Sequence, residues 1–368
     1  IIYFAQVSGS YALGMSVFAA AYISSALFEI PTGIFSDMVG RKKTMLLGAI
    51  CSTICIIFYA IGGTFWVLLI GSVFQGISRA FYSGNNNALL HDMLVEAQQE
   101  NQYHAYLGRT SSFFQIALAI ASLAGGFMAA RSFALVMWVS VIPQVLNIFV
   151  ATQIVEPHIV SKESTNIYEH LHESIRQFRK NYKLRLITIT SIMRFGLGES
   201  MFFLRAAFYQ TLWPIWAIGI AGMLSHTGGA LSYYFSARFI DRFKPLGALN
   251  FEIVTNRITN FIALLYPTIA SPAILSTTSL TFGLGSVAQE ALLQKEFTQH
   301  QRATMGSLNS FAGSLFFGIA SVGAGLLADR IGAVYTLIGI NIILIVPLAF
   351  YQKIFVHDQN TINRRADF

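Results

Sequence analysis

Charged residues are scarce in this chain of 368 residues, and the scarcity argues against a soluble protein. Asp, Glu, Lys and Arg make up 11% of the sequence and hydrophobic residues 54%, against about 25% and 45–50% in soluble domains. Long apolar stretches with few charges are typical of membrane-spanning helices. We therefore predict an all-α polytopic membrane protein.

Cysteine and the short motifs of enzymes are also nearly absent. Cys51 and Cys55 lie one helical turn apart in an apolar run, so we expect them to pack as small hydrophobic side chains. The sequence has no P-loop, no G-x-G-x-x-G after a strand, no H-E-x-x-H and no G-x-S-x-G. We predict no enzyme activity, no cofactor and no metal. If the chain carries a solute across the membrane, the absence of a nucleotide site means that an ion or solute gradient would have to drive this transport.

The apolar stretches predict eleven helices after a short first one. The stretch Ile1 to Val7 is too short to cross a bilayer, which needs about 20 residues, so we expect a truncated first helix. The eleven that follow are predicted at 13–36, 44–62, 65–94, 102–129, 132–154, 184–209, 213–238, 246–268, 271–294, 302–328 and 332–352.

Basic residues cluster in alternate loops, which predicts the topology. Cytoplasmic loops carry an excess of Lys and Arg, and the second set of loops holds only Arg131 and Arg330. We therefore expect both termini and the linker 155–183 in the cytoplasm, in a plasma or bacterial inner membrane. Apolar residues recur at helical spacing in that linker, so we expect an amphipathic helix at the membrane surface. The net charge of +7 is scattered over the loops, so we predict no binding of nucleic acid.

An internal repeat divides the chain into two halves. Residues 102–131 align with 301–330 without gaps at an offset of 199. Such a repeat predicts two six-helix units, with a substrate site between them near the bilayer midplane and alternating access by rocking. The predicted divisions are a bundle at 1–154, the linker at 155–183, a second bundle at 184–353 and a cytoplasmic tail at 354–368.

The segment from Gly33 to Lys43 places an acid, two glycines and three bases between two apolar runs. Glycine lets backbones cross closely or take a positive φ at a turn, and the bases suit a cytoplasmic loop. At every specified position the segment resembles motif A of the major facilitator superfamily, G-x-x-x-D-x-x-G-R-[RK]-[RK]. A solvated turn that only orients the protein is the alternative. The resemblance implies the major facilitator fold, with twelve transmembrane helices in two six-helix pseudo-repeats.

Other stretches extend this resemblance over nearly the whole chain. Residues 301–310 are similar to the R-A-T-x-x-S-x-x-S start of helix 11 in many bacterial members, among them drug-efflux proteins. The resemblance implies that Asp37 faces this start and that Arg41 pairs with Asp92, holding the cytoplasmic side shut in the outward-facing state. A degraded copy of motif A surrounds Asp241. The gating residues are therefore expected to be Gly33, Asp37, Gly40, Arg41, Lys42, Asp92, Asp241, Arg242 and Arg302.

Two departures from the family pattern bear on function. Helix 5 lacks the Gly-Pro of many antiporters, which weakens the prediction of antiport, and its small residues Ala117, Ala121 and Gly125 equally suit close helix packing. Helix 4 has Ser72 where motif B has an arginine. Arg79 lies two turns further on the same face and could take that role, or it could extend to the cytoplasmic interface.

Ionisable groups inside the predicted helices are the best pointers to a site, since each costs about 3 kcal/mol or more in lipid unless paired or hydrated. Arg79 and Arg194 lie on helices that line the central cavity in the family, and Glu29 or Glu199 is a candidate carrier of a coupling proton. The structural alternative is that these charges form buried ion pairs. Asn85 and Asn86 could bind a solute or join helices. The candidates are Glu29, Arg79, Asn85, Asn86, Arg194, Glu199, Glu252 and Arg257.

These observations predict a monomeric secondary transporter that works by alternating access. The leading interpretation is proton-coupled efflux of small amphiphilic compounds. One alternative is an uptake symporter or facilitator for a small polar or anionic solute, favoured by Arg79 and Arg194. The other is a transporter-like receptor or a membrane protein that transports nothing. The expected partners are a small-molecule substrate, a proton and the lipid bilayer.

Overall fold

The computed structural model describes residues 1–83, 85–99, 102–156, 176, 178–296 and 302–366. Within these residues fourteen helices are defined. They are α1 (Ile2–Ser8), α2 (Tyr11–Val39), α3 (Arg41–Ile61), α4 (Phe65–Tyr82), α5 (Asn85–Glu96), α6 (Tyr103–Ala129), α7 (Phe133–Gln153), α8 (Tyr182–Tyr209), α9 (Ile215–Leu265), α10 (Ser271–Ser276), α11 (Ser279–Glu296), α12 (Arg302–Ile331), α13 (Ala333–Ile343) and α14 (Val346–Ala366).

Seven stretches within these helices are long and apolar enough to cross a membrane. They lie in α2, α3, α4, α6, α7, α12 and the α13–α14 pair. The remaining long helices, α8, α9 and α11, carry more polar residues, among them Arg194, Glu252 and Gln289. Glu252 and Gln289 are buried in the protein, so these polar side chains do not face lipid.

Three predicted helices are each broken into two. The helix predicted at 65–94 ends at Tyr82, where Ser83 takes an extended conformation, and α5 follows it. The helix predicted at 271–294 breaks at Thr277 and Thr278, whose hydroxyls donate to the carbonyls of Ile274 and Leu275 at 2.7 Å each and so compete with the helical ladder.

Proline accounts for the third break and for a kink. The helix predicted at 332–352 breaks after Ile343, just before Pro347, which lacks an amide hydrogen. The helices predicted at 213–238 and 246–268 join as α9, bent at Lys244, whose φ of 63° precedes Pro245. The loop expected around Asp241 is therefore a single non-helical residue.

Two sets of helices pack among themselves, α1–α7 as the N-terminal half and α8–α14 as the C-terminal half. The N-terminal half has a core cluster that includes Phe4, Cys55 and Tyr59, so Cys55 packs as predicted. The C-terminal half has two apolar clusters, one around Phe208 and Leu264 and the other around Leu249 and Tyr351. Residues 157–175 and 177, most of the predicted amphipathic linker helix, lie outside the described residues, and Phe178 packs on the second of these clusters.

The halves meet along two helix pairs, α2 with α12 and α6 with α9. Because successive spans are antiparallel, one end of the bundle carries Gly40, Ser83 and Lys244, and the other carries Ser10, Ala129 and Asp329. We call these the Gly40 end and the Asp329 end. Close contacts between the halves run inward from the Asp329 end, and among them Phe18 of α2 stacks on Phe203 of α8 with ring centroids 4.2 Å apart.

The α6–α9 pair crosses backbone against backbone. A Cβ on Gly219 would lie 2.4 Å from the carbonyl oxygen of Ser122, and a Cβ on Gly126 would lie 2.8 Å from the Cα of Gly219. Close packing therefore uses Ser122 and Gly126. The helix face predicted to pack closely, which carries Ala117, Ala121 and Gly125, was wrong, because a Cβ on Gly125 would meet no heavy atom within 4 Å.

Candidate functional site

A cavity of about 280 Å³ lies between the two halves, on the Gly40 side of their contacts. Helices α2, α4, α8 and α12 supply its walls, so both halves contribute. Most of the lining side chains are polar, and five are serines. They are Tyr22, Ser25, Glu29, Arg79, Ser83, Ser191, Ile192, Phe195, Asn309, Ser310, Gly313 and Ser314.

Tyr22, at the inner end of this cavity, contacts side chains of both halves. The guanidinium carbon of Arg79 lies 4.1 Å from the centre of its ring, which is the geometry of a cation–π contact. The ring also packs on Phe317, with centroids 4.3 Å apart. Its hydroxyl donates to Glu199 Oε2 at 3.4 Å. A residue of α2 thus joins a cation of its own half to an acid of the other half.

Glu29 lies nearer the Gly40 end on the same wall. Ser83 Oγ donates to Glu29 Oε1 at 3.3 Å, and Glu29 is half-buried. Since Ser83 follows Arg79 by four residues, Glu29 lies about one helical turn from Arg79 along α4. Two predicted candidates, Glu29 and Arg79, therefore line the cavity, and a third, Glu199, contacts its lining residue Tyr22.

The other predicted arginine lies elsewhere. Arg194 Nη2 is 2.9 Å from Glu252 Oε2, inside the C-terminal half. Asn256 Nδ2 donates to Glu252 Oε1 at 2.8 Å, and Thr281 donates to Asn256. The pairing of Arg79 with Arg194 in one site was wrong, because α8 directs Arg194 toward α9 and α11 and away from the cavity.

Arg205 and Arg257 complete a buried polar layer between the two apolar clusters of the C-terminal half. Arg205 donates to Asn260 Oδ1 at 2.9 Å and to Thr278 Oγ1 at 3.1 Å. Asn341 Nδ2 donates to the carbonyl of Arg257 at 3.2 Å. The predicted candidates Glu252 and Arg257 belong to this layer, and neither lines the cavity.

The asparagines of α5 divide between two environments. Asn85 is buried, accepts from Ser36 Oγ at 2.5 Å and donates to the carbonyl of Phe81 at 2.7 Å. It therefore joins α5 to α2, which is the helix-joining alternative. Asn86 is exposed.

The motif A segment forms a tight connection between α2 and α3. Gly40 has φ 95°, a conformation that glycine adopts readily, and it both ends α2 and begins α3. Arg41 Nε donates to the buried Asp92 Oδ2 at 2.7 Å, so the two residues that the resemblance paired are in contact. Their role in gating stays a prediction.

A further carboxylate secures this connection. Glu156, just after α7, accepts from the backbone amides of Arg41 at 2.6 Å and Lys42 at 2.7 Å. These are free amides of the first turn of α3, so a carboxylate there is favoured by both hydrogen bonding and the helix dipole.

The remaining gating candidates are placed as follows. Gly33 lies within α2, where a Cβ would meet no heavy atom within 4 Å, so the close backbone crossing expected there is absent from this conformation. Asp241 and Arg242 are exposed beside the Lys244 kink. Asp37 lies near the end of α2 and Arg302 begins α12, but their side chains lie outside the described part of the structure.

The Asp329 end is held by a contact that sequence reasoning did not predict. The backbone amides of Tyr11 and Ala12 donate to the two carboxylate oxygens of Asp329, at 2.7 and 2.9 Å. The C-terminal part of α12 thus caps the N-terminus of α2 across the halves.

Tyr22, Glu156 and Asp329 were missed for separate reasons. Tyr22 is a lone large polar side chain among Ala19, Ala20, Ala21 and the serines that follow, which is a signal that could have been used. Glu156 and Asp329 bind backbone amides, and such contacts leave no pattern of side-chain types in the sequence.

Comparison with known proteins identifies the family. The family model of the Major Facilitator Superfamily matches residues 1–321. This chain belongs to that superfamily. The all-α polytopic prediction and the major facilitator fold are thereby confirmed.

A curated relative is an uncharacterized transporter, BU466, of Buchnera aphidicola subsp. Acyrthosiphon pisum (strain APS). It is 34% identical over 119 residues, which are 32% of this chain and 29% of the relative. The match thus spans under a third of that protein.

Solved structures share the whole fold. The nucleoside transporter NupG has a TM-score of 0.72 at 13% identity, covering 94% of this chain and 91% of its own. A bacterial homologue of the human lysosomal transporter Spinster, inward-facing and occupied, has a TM-score of 0.69 at 16% identity, covering 93% and 88%. The fucose:proton symporter FucP of E. coli has a TM-score of 0.61 at 14% identity, covering 95% and 92%. At these identities the likeness establishes the fold, and these proteins are transporters rather than enzymes.

Proposed function

We propose that this chain is a proton-coupled symporter for a small polar solute. The observation that carries the proposal is the cavity between the halves, with polar side chains from both of them and with Tyr22 joining Arg79 to Glu199. A solute bound there contacts both halves, so rocking of one half against the other would carry it across.

The arrangement supports symport through the charge of Arg79. Glu199 lies within electrostatic range of Arg79, and both contact Tyr22. When Glu199 takes up a proton, the positive charge of Arg79 loses a nearby counter-charge, so it binds an anionic group of the solute more strongly. A proton and a solute that favour each other's binding travel together, which is what symport requires.

The conformation supports a cycle with two gates. The Asp329 end is shut by Asp329 on the N-terminus of α2, and the cavity lies on the Gly40 side. With the predicted cytoplasmic position of the Gly40 end, this is an inward-facing arrangement. The predicted contact of motif A with α12 then belongs to the outward-facing state.

Efflux of small amphiphilic compounds, typical of the drug-efflux subtype, has less support. Its binding sites require extensive apolar surface, whereas the apolar side chains in this cavity are Ile192 and Phe195 together with the ring of Tyr22. Among the fold neighbours, NupG is a nucleoside transporter and FucP a fucose:proton symporter, and nucleosides and fucose are both polar solutes. The receptor alternative is addressed by the same experiment as symport.

The test uses the purified chain in proteoliposomes that contain a pH-sensitive dye. Sugars, nucleosides, amino acids and lipophilic amines are added outside one class at a time. Symport predicts that a polar class acidifies the lumen. Alkalinisation by lipophilic amines alone would support efflux by antiport, and no flux with any class under any gradient would support a receptor.

A further inference from the structure

The cavity holds opposite charges on one wall. Arg79 and Glu29 both line it, and Ser83, which donates to Glu29, follows Arg79 by about one helical turn. A small solute bound in this cavity of about 280 Å³ can meet both charges at once.

Neither charge is neutralised by an ion pair within the described part of the chain. The guanidinium carbon of Arg79 lies over the ring of Tyr22, and a guanidinium in such a contact can still donate hydrogen bonds to a carboxylate. Glu29 accepts one hydrogen bond, from Ser83 at 3.3 Å. A carboxylate with this much free capacity is an acceptor for an ammonium group.

We infer, on the basis of the proposed transport function, that the solute is a small zwitterion of the amino-acid class. Its carboxylate binds Arg79, and its ammonium group binds Glu29 with the hydroxyl of Ser83 beside it. Its remaining part faces Ile192 and Phe195 of the C-terminal half.

Charge balance favours a zwitterion over other polar solutes. With Glu199 protonated, Arg79 and Glu29 leave the cavity neutral, and a zwitterion keeps it neutral while it satisfies both groups. A simple amine would leave Arg79 without a partner, and a simple carboxylate would leave Glu29 without one, each at the cost of a desolvated charge. A neutral sugar or nucleoside would leave both Arg79 and Glu29 without a charged partner.

The experiment measures the thermal stability of the purified full chain with the standard amino acids, one at a time. A ligand of the native state raises the unfolding temperature by mass action. For the amino acid with the largest effect, the amine that lacks its carboxylate and the acid that lacks its ammonium group are then measured. We expect both to bind about tenfold more weakly or worse.

Matched variants assign the two groups. Arg79→Gln and Glu29→Gln should each weaken binding of that amino acid by about tenfold or more. Arg131→Gln and Glu290→Gln remove an exposed charge outside the cavity and should leave it unchanged. Because Arg79 could also support folding, Arg79→Lys is included, and it should retain part of the affinity through its charge.

Three results would overturn the inference: no stabilisation by any amino acid, equal stabilisation by the parent and its amine, or normal affinity in Glu29→Gln. The proteoliposome assay distinguishes failure of the zwitterion inference from failure of the proposed symport. Proton flux with a sugar or nucleoside would retain symport and refute the zwitterion, whereas binding of an amino acid without any flux would refute symport alone.

Discussion

At the scale of the residue, Tyr22 explains how the two halves share one site. Its ring contacts Arg79 and Phe317, and its hydroxyl donates to Glu199. Rocking of the halves must change the contact with Glu199, because Tyr22 and Arg79 belong to one half and Glu199 to the other. In the proposed function, this contact links the proton site to the solute site mechanically.

Replacing Glu199 should separate solute movement from proton movement. Glu199→Gln keeps a partner for the Tyr22 hydroxyl but cannot bind or release a proton, so exchange of solute at equal concentrations should persist while solute-driven proton flux is lost. Proteoliposomes report both quantities. Glu290→Gln is the matched control, since Glu290 is exposed near the Gly40 end. Normal proton flux in Glu199→Gln would show that another group carries the proton.

Glu252 should matter for stability rather than for solute binding. Its carboxylate is buried against Arg194 at 2.9 Å, so Glu252→Leu leaves an uncompensated charge inside the C-terminal half, and we expect destabilisation of about 3–5 kcal/mol. The double variant Arg194→Leu with Glu252→Leu should recover most of that loss, since it removes both charges. Thermal unfolding measures each. A double variant less stable than Glu252→Leu would refute a purely structural pair.

At the scale of the element, the α6–α9 crossing depends on the absence of two side chains. Gly126→Ala places a Cβ about 2.8 Å from the Cα of Gly219, so the helices must separate at the Asp329 end. We expect this end to open more often and solute exchange to fall. Gly125→Ala is the neighbouring control, because its Cβ meets open space. Reactivity of a cysteine placed at Phe203 measures the opening, and equal reactivity in both variants would contradict this account.

We also expect the contact between Asp329 of α12 and the N-terminus of α2 to hold the Asp329 end closed. Asp329→Asn removes a charge from two free amides of α2, and such exposed charge–dipole contacts contribute about 0.3–1 kcal/mol. The population open at this end should therefore rise about two- to fivefold. The same cysteine at Phe203 measures it, with Arg330→Gln as control. Unchanged reactivity in Asp329→Asn would show that the carboxylate is not part of the gate.

Sequence predicted the elements well where a repeated physical pattern exists. Apolar runs of membrane length located the helices. The family resemblance, which rests on motif A and on the end of helix 4, paired Arg41 with Asp92, and the two residues are in contact. The breaks at Ser83 and Thr277 were missed, since they depend on local backbone conformation and on hydroxyls that bond back to carbonyls. The loop predicted between 238 and 246 was too long, because only Lys244 leaves the helical conformation.

At the scale of the whole molecule, the candidate site was predicted only in part. Glu29 and Arg79 line the cavity, but Arg194, which was grouped with Arg79, pairs with Glu252 inside the C-terminal half. Charges inside a membrane protein show that a partner exists without showing which neighbouring helix provides it. That choice depends on how α8 is rotated against α9 and α11, which a single sequence does not encode as a motif.

The central claim is that the two ends of the molecule open in alternation. Spin labels at Arg131 and Thr211 span the halves at the Asp329 end, and labels at Gln99 and Lys295 span them at the Gly40 end. Pulsed electron-resonance distances in lipid, compared between the wild type and Asp329→Asn, measure both ends. We predict a second population in the variant, with a longer Arg131–Thr211 distance and a shorter Gln99–Lys295 distance. If the Arg131–Thr211 distance lengthens while the Gln99–Lys295 distance stays unchanged or lengthens with it, the two ends do not open in alternation.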